Sequence, residues 1–390
     1  MSTVPGPWYA DVDFCRPFLR QGGIDEAQYI AAIGEVQALM SLEEAQRQLA
    51  SVGSFAAPTL HPYPGSRLEH HPLPLLLALD IRAINVWTEL VRLGLALLRT
   101  RDLPGILSKR KLLLNFDQYR STLFEIEAFA YFVAAGLSPR VRKDTPDCVL
   151  DVGGKPVNVE IRLGEANFGV ALFHAISPPF VDDFGTYRIR VPSGVGGQGE
   201  KVYDIARAIQ IDIEQLFSGG VEASIPRTEY QVDYSPTGAR ELSLSFGPDA
   251  PQTYAETLEA QVMKWLKEKD EKLLSLGSES PSVIALDIRA LVWGLPRPGG
   301  KLATDAYYQR QIAARQTPEH RQAVTRGIQA FLTSAKAVRG VLTWWRKFEW
   351  ELSLSEQLFE PWEVTLTTKL THEEVPNTAA LPVLFRRVYY

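Results

Sequence analysis

Four residues in the middle of this 390-residue chain have the types and spacing to do chemistry together. Glu125 lies in the run FEIEAFAYFVAAG, Asp147 follows Pro146 in TPDCVLDV, and Glu160 and Arg162 stand two apart in VNVEIRL. On a strand, a spacing of two puts Glu160 and Arg162 on the same face. Gly153-Gly154 joins CVLDV to VNVEIRL, and two glycines that accept positive φ are a strong hairpin signal. That hairpin would set Asp147 beside Glu160. Two converging carboxylates repel each other unless a cation sits between them, and such oxygen ligands suit Mg²⁺ or Mn²⁺.

The elements that must position these groups can be read from the hydrophobic pattern. FEIEAFAYFVAAG predicts a strongly apolar helix closed at Gly136. The β-type runs SPRVRK, CVLDV and VNVEIRL follow, then, beyond the poorly patterned stretch 163–185, TYRIRV. EKVYDIARAIQIDIEQLF predicts a helix, and TEYQVDYSPTGARELSLSF alternates around a Pro-Thr-Gly turn, which predicts a hairpin. TYAETLEAQVMKWLKEKDEKLLSL predicts a long amphipathic helix, and PSVIALDI a strand buried on both faces. Upstream, residues 1–114 predict helices broken by the Pro/Gly/His-rich loop APTLHPYPGSRLEHHPLP. His61, His70 and His71 lie in it, but no acidic or Cys partner stands at ligand spacing, so a plain surface loop is expected.

The segment TPDCVLDVGGKPVNVEIR resembles the PD-(D/E)XK superfamily of restriction-endonuclease-like nucleases, in which a Pro-Asp is followed, after a hairpin, by an acid-x-Lys on the next strand. The resemblance spans about residues 115–290. It implies an α/β (α+β) fold: a restriction-endonuclease-like mixed sheet flanked by helices. The implied organisation is a helical N-terminal region (1–114), a nuclease-like core (115–295), and a basic, aromatic-rich C-terminal region (296–390) packed on the core. It implies that Asp147 and Glu160 bind the metal, Mg²⁺ or Mn²⁺, with Glu125 as the supporting helix glutamate and Glu127 as the alternative. It also implies hydrolysis of nucleic-acid phosphodiester bonds, with defence against foreign DNA among the superfamily's habits. The departure is Arg162 in place of the motif lysine. Arginine keeps the charge but cannot deprotonate, and its planar fork differs in geometry. Three outcomes stay open: Arg162 itself stabilises the developing phosphate charge, a lysine such as Lys155 or Lys264 moves in, or the site is inactive. Each acid also has a plain structural reading, as a turn former or an ion-pair partner. The alternative function is therefore a nuclease-like fold that has lost its chemistry and binds nucleic acid or a protein partner.

Composition narrows the rest. The net charge of −5 means that any polyanion must be met by a local patch. Residues 301–350 supply one, with nine basic residues against three acidic ones. Arg321, Arg326 and Arg339 are its candidate phosphate contacts, and a solvated helix face is the competing reading. Trp344, Trp345, Trp350 and Trp362 with Arg346 and Lys347 would suit base stacking or a partner interface, though core packing is the plainer expectation. The only two cysteines, Cys15 and Cys148, make no disulfide framework or CxxC zinc pair. No secretory signal opens the chain, and the apolar stretch Leu73–Leu98 is broken by Asp80, Arg82, Glu89 and Arg92, so a cytoplasmic protein without a membrane span is expected. Gly194, Gly196 and Gly199 have GxGxxG spacing, but their entry, RIRVPSG, is unlike an apolar Rossmann strand; a flexible loop is expected. No GxSxG is present, and His174 and His320 stand alone.

Overall fold

Helical periodicity dominates the N-terminal part. The computed structural model describes residues 7–50, 71–78, 84–152, 154–164, 169, 172, 185–192, 195, 200–236, 240–247, 252–277, 280–288, 318–346, 352–359 and 362–368. Seven α-helices come first: α1 (Val12–Gly22), α2 (Glu26–Leu39), α3 (Leu42–Ala50), α4 (Pro72–Ala78), α5 (Ile84–Thr100), α6 (Ile106–Leu112) and α7 (Tyr119–Ala134). Asp11 and Asp25 cap α1 and α2, accepting from Phe14 N at 3.2 Å and Gln28 N at 2.7 Å. α2 and α5 approach so closely that a Cβ on Gly94 would lie 2.4 Å from the Ala32 carbonyl oxygen. Only glycine fits there.

The strands are β1 (Arg140–Val141), β2 (Cys148–Val152), β3 (Lys155–Leu163), β4 (Gly185–Val191), β5 (Ala223–Pro226), β6 (Gln231–Ser235), β7 (Arg240–Phe246), β8 (Gln252–Thr253), β9 (Ser282–Asp287), β10 (Val338–Arg346) and β11 (Trp362–Thr368). Among them run α8 (Glu200–Gly219), α9 (Tyr254–Leu274), α10 (Pro318–Ser334) and α11 (Leu354–Phe359). The fold is mixed α/β, with eleven α-helices among the described residues and two open mixed sheets. The first sheet has the order β1-β2-β3-β9-β10-β11, and the second the order β5-β6-β4-β7-β8.

The middle of the first sheet is buried on both faces. Val159, Ile161, Val283, Ala285, Leu342 and Trp344 project into one apolar cluster with the N-terminal helices. Ile284, Leu286, Val341 and Trp345 project the other way, against α9 and α10. β9 therefore needs apolar residues at every position, which is why its sequence runs without alternation. It pairs in parallel with β3 on one side and β10 on the other. Trp344 anchors α7, its ring 5.5 Å from Phe124 and from Tyr131 and 6.1 Å from Phe132, all edge-on. Trp344 and Trp345 are thus core residues, 1% and 5% exposed. β10 and β11 extend the first sheet itself, so the C-terminal part of the chain shares its hydrogen bonding.

One pairing differs from the sequence expectation. β6 and β7, read as a hairpin around Pro236, do not pair with each other. β4 lies between them, antiparallel to β6 and parallel to β7. Alternation fixes which face of a strand is buried, but it does not identify the neighbouring strand. β2 and β3 pair as the expected antiparallel neighbours, with Val152 opposite Lys155 and Gly154 at φ +81°. Among the described residues no helix is long and apolar enough to cross a membrane.

Candidate active site

The β2–β3 register, Cys148 opposite Val159, makes Asp147 the residue facing Glu160 when continued by one pair. Val159 and Ile161 point to the helical bundle, so Glu160 and Arg162 point to the opposite face, under α9. Glu160 is only 1% exposed. Asp147 lies at the head of β2, after a cis Thr145-Pro146 bond. Its Oδ2 accepts the Ile161 N–H at 2.8 Å, which holds the carboxylate against β3. Its Oδ1 lies 3.0 Å from the Lys109 ammonium. Glu125, on α7, reaches the same ammonium at 2.6 Å. Glu127 faces elsewhere, 3.4 Å from Arg92 Nε, so Glu125 is the glutamate of the pair that joins the site.

Three lysines complete the group, none of them evident from the motif. Lys109 comes from α6. Lys269, on α9, forms a short ion pair with Glu160 Oε1, and Lys272 stands 3.2 Å from the same oxygen. Lys155 and Lys264, the expected replacements for the motif lysine, are both exposed. Lys155 sits at the β2–β3 turn, and Lys264 is on a face of α9 turned from the sheet. Arg162 is held loosely, 3.8 Å from Glu268, with its buried Nε lacking a hydrogen-bond partner among the described residues. A signal for Lys109 and Lys269 exists in the sequence. Lys109 falls three residues after buried Ile106, and Lys269 four after buried Trp265, so each interrupts an apolar helical stripe.

The electrostatics reflect crowding. Burial raises the pKa of Glu125, and the negative charge of Asp147 raises it further, while Lys109 and Lys269 pull it down. Burial opposes the charge on Lys109, yet Asp147 and Glu125 outweigh it and hold its pKa above the ordinary lysine value. The Cys148 thiol beside them is pushed well up, first by burial and then by Asp147. It stays a neutral packing group.

Mg²⁺ or Mn²⁺ is the cofactor implied by the sequence. The donor chemistry fits, because hard cations take carboxylate oxygens, and Glu160 Oε2 is buried with no hydrogen-bond partner among the described residues. The arrangement is incomplete, however. Among the described residues no three His, Cys, Asp or Glu side chains are placed to hold a metal ion. Lys109 stands between Glu125 and Asp147, and Lys269 against Glu160. Ammonium groups occupy the gaps that a divalent cation would otherwise neutralise.

The remaining expected residues separate. Arg321 pairs with Glu363 at 2.9 Å and stacks 4.9 Å over Trp345. Arg326 Nε donates to Glu259 at 3.0 Å. Arg339 is exposed at the start of β10. Two of the three candidate phosphate contacts thus already hold α10 to its neighbours. His71 is structural: Nε2 donates to the Leu113 carbonyl at 2.9 Å and Nδ1 accepts from Leu73 N at 3.1 Å. His61, His70, His174, Gly194, Gly196, Gly199, Lys347 and Trp350, and the side chains of Arg346 and Trp362, lie outside the described residues. Compared with known proteins, the chain matches no family model, no curated protein and no solved structure.

Proposed function

We propose that this chain is a PD-(D/E)XK-type nuclease that hydrolyses nucleic-acid phosphodiester bonds with Mg²⁺ or Mn²⁺. The observation that carries this reading is that Glu125 and Asp147 share the Lys109 ammonium while Glu160 faces Asp147 in the continued β2–β3 register, with Lys269 against Glu160. The order α7, β1, β2, β3 and then, after the second sheet, α9 and β9, with β3 beside β9, supports it. In this reading Asp147 and Glu160 hold the cation, and Glu125 stands behind Asp147, sharing the Lys109 ammonium with it. A divalent cation bound there would polarise the phosphate and lower the pKa of an attacking water. Lys269 supplies the ammonium expected at the motif position, brought in from α9. It pairs with Glu160 and would place positive charge beside the reacting phosphate. Arg162, loosely held, adds a second positive charge on the same face, and it cannot act as a base.

The test is cleavage of labelled DNA and RNA with Mg²⁺ or Mn²⁺, with EDTA, and with Asp147→Asn. Cutting that needs the metal and disappears in the variant is the expected result. Undiminished cutting by Asp147→Asn, or by the wild type in EDTA, refutes the assignment. A second reading has its own observation: the lysines already neutralise the three acids, as expected of a nuclease-like fold kept for binding. Nucleic-acid binding by the wild type without cleavage under any metal would select it.

A further inference from the structure

The first sheet leaves β1 and the approach to Asp147 uncovered by α9, and the residues there are basic. Arg140 pairs with Val149 and Val141 with Cys148. One step further, Arg142 N donates to the Asp147 carbonyl at 2.8 Å. Val141 is buried in the bundle cluster. The alternation of the strand therefore puts Arg140 and Arg142 on the opposite face, the face of Asp147 and Glu160. Lys143 follows directly. All three are exposed, and none is ion-paired with a described residue. Beside them opens a cleft of about 400 Å³ lined by Lys143, Asp144, Thr145, Asp147, Lys272, Ser275 and Leu276. Lys272 reaches into it from α9 with half of its side chain exposed. Asp144 is the one opposing charge besides Asp147 itself.

A strand edge whose cations are ion-paired with no described residue, leading into an open cleft that reaches Asp147, is what a polyanion needs in order to approach acids that would otherwise repel it. The contrast with the 301–350 stretch is direct, since Arg321 and Arg326 are held by Glu363 and Glu259. We propose that the sugar–phosphate backbone of a nucleic acid runs along β1 and the cleft, with Arg140, Arg142, Lys143 and Lys272 meeting successive phosphates. The proposal names the substrate track of the nuclease reading and rests on it, but binding can be measured apart from cutting.

The experiment measures affinity for a labelled DNA duplex and for RNA of the same sequence, by fluorescence anisotropy across a salt series, with Ca²⁺ in place of Mg²⁺. Arg140→Gln/Arg142→Gln/Lys143→Gln should weaken binding at least about tenfold. It should also lower the slope of log K against log salt by about 2 to 3, the loss expected for three phosphate contacts. Arg321→Gln/Arg326→Gln/Arg339→Gln should bind as wild type does. If the first triple variant melts early, Lys143→Glu alone, at an exposed loop position, should still weaken binding. Wild-type affinity and slope in the first set, loss confined to the second, or a wild type that binds neither probe would each overturn the proposal. A wild type that binds through β1 but never cuts would sink the hydrolytic reading and leave this one standing.

Discussion

Two buried carboxylate sites in this molecule are built in opposite ways. In the second sheet, Asp212 of α8 is 1% exposed and accepts from Arg227 Nε and Nη2 at 2.8 and 2.6 Å, and from the Tyr230 hydroxyl at 2.8 Å. The Arg227 hydrogen bonds hold its pKa below the ordinary aspartate value, against the effect of burial. In the first sheet, on β3 between β2 and β9, Glu160 is equally buried but leaves Oε2 without a hydrogen bond among the described residues, and Glu125 is pushed toward protonation. A planar guanidinium fork and a hydroxyl use up the lone pairs of an acid, whereas point-like ammonium groups do not. The first arrangement locks α8 to the turn between β5 and β6. The second leaves acceptor capacity in a buried place, which costs stability.

The sharpest way to break the comparison is to neutralise one acid on each side. Asp147→Asn should lower metal-dependent cleavage by about 10²-fold or more. It should cost less than about 1 kcal/mol of stability, since the amide oxygen can still accept from Ile161 N. Rate and melting temperature on the same preparation check both halves. Next in size is Lys269, proposed above as the ammonium at the motif position. Lys269→Ala should cost about 10²-fold in rate, and more than Arg162→Ala does; the reverse order would return the role to Arg162. Asp212→Asn should behave in the mirror-image way, with cleavage unchanged and about 1 to 3 kcal/mol of stability lost, read from denaturant midpoints. The smallest effect is in pH. Because the pKa of Asp212 is depressed by folding, its contribution is present above the ordinary aspartate pKa of about 3.9 and fades as pH falls through the folded value. The stability gap between wild type and Asp212→Asn should therefore narrow below about pH 4. A gap that stays constant into acid would mean that the variant acts by distorting α8.

Much of the first sheet was legible in the chain. α7, β2, β3, α9 and β9 follow from apolar spacing, a turn dipeptide and an uninterrupted buried run, and Asp147 and Glu160 follow from the hairpin register. Legibility ended where partners come from distant segments. Nothing local to TEYQVDYS or RELSLSF tells that β4 will lie between them. Lys109 and Lys269 stand far from the motif, and only their position within apolar stripes marks them. The charge run at 301–350 was the least informative feature. Its arginines are positive in sequence, but their role depends on whether Glu259 and Glu363 come to meet them.

The pairing of β3 with β9 bears on how the chain reaches this state. Glu160 sits on a strand whose second neighbour begins at Ser282, paired with Asn158, after the whole second sheet has been made. During synthesis, β2 and β3 can form their hairpin early, while the far edge of β3 stays open with its backbone donors and acceptors unpaired. The long-range contact that closes it also brings in α9 with Lys269 and Lys272. Lys109 is made before Glu125 and Asp147 and can meet them early, but Glu160 is assembled before its cations, and the site reaches charge balance only when the last third of the chain arrives. A chain released before β9 would carry an open strand edge beside a Glu160 carboxylate whose covering helix is not yet held in place, a fragment suited to aggregation or to degradation rather than to partial function.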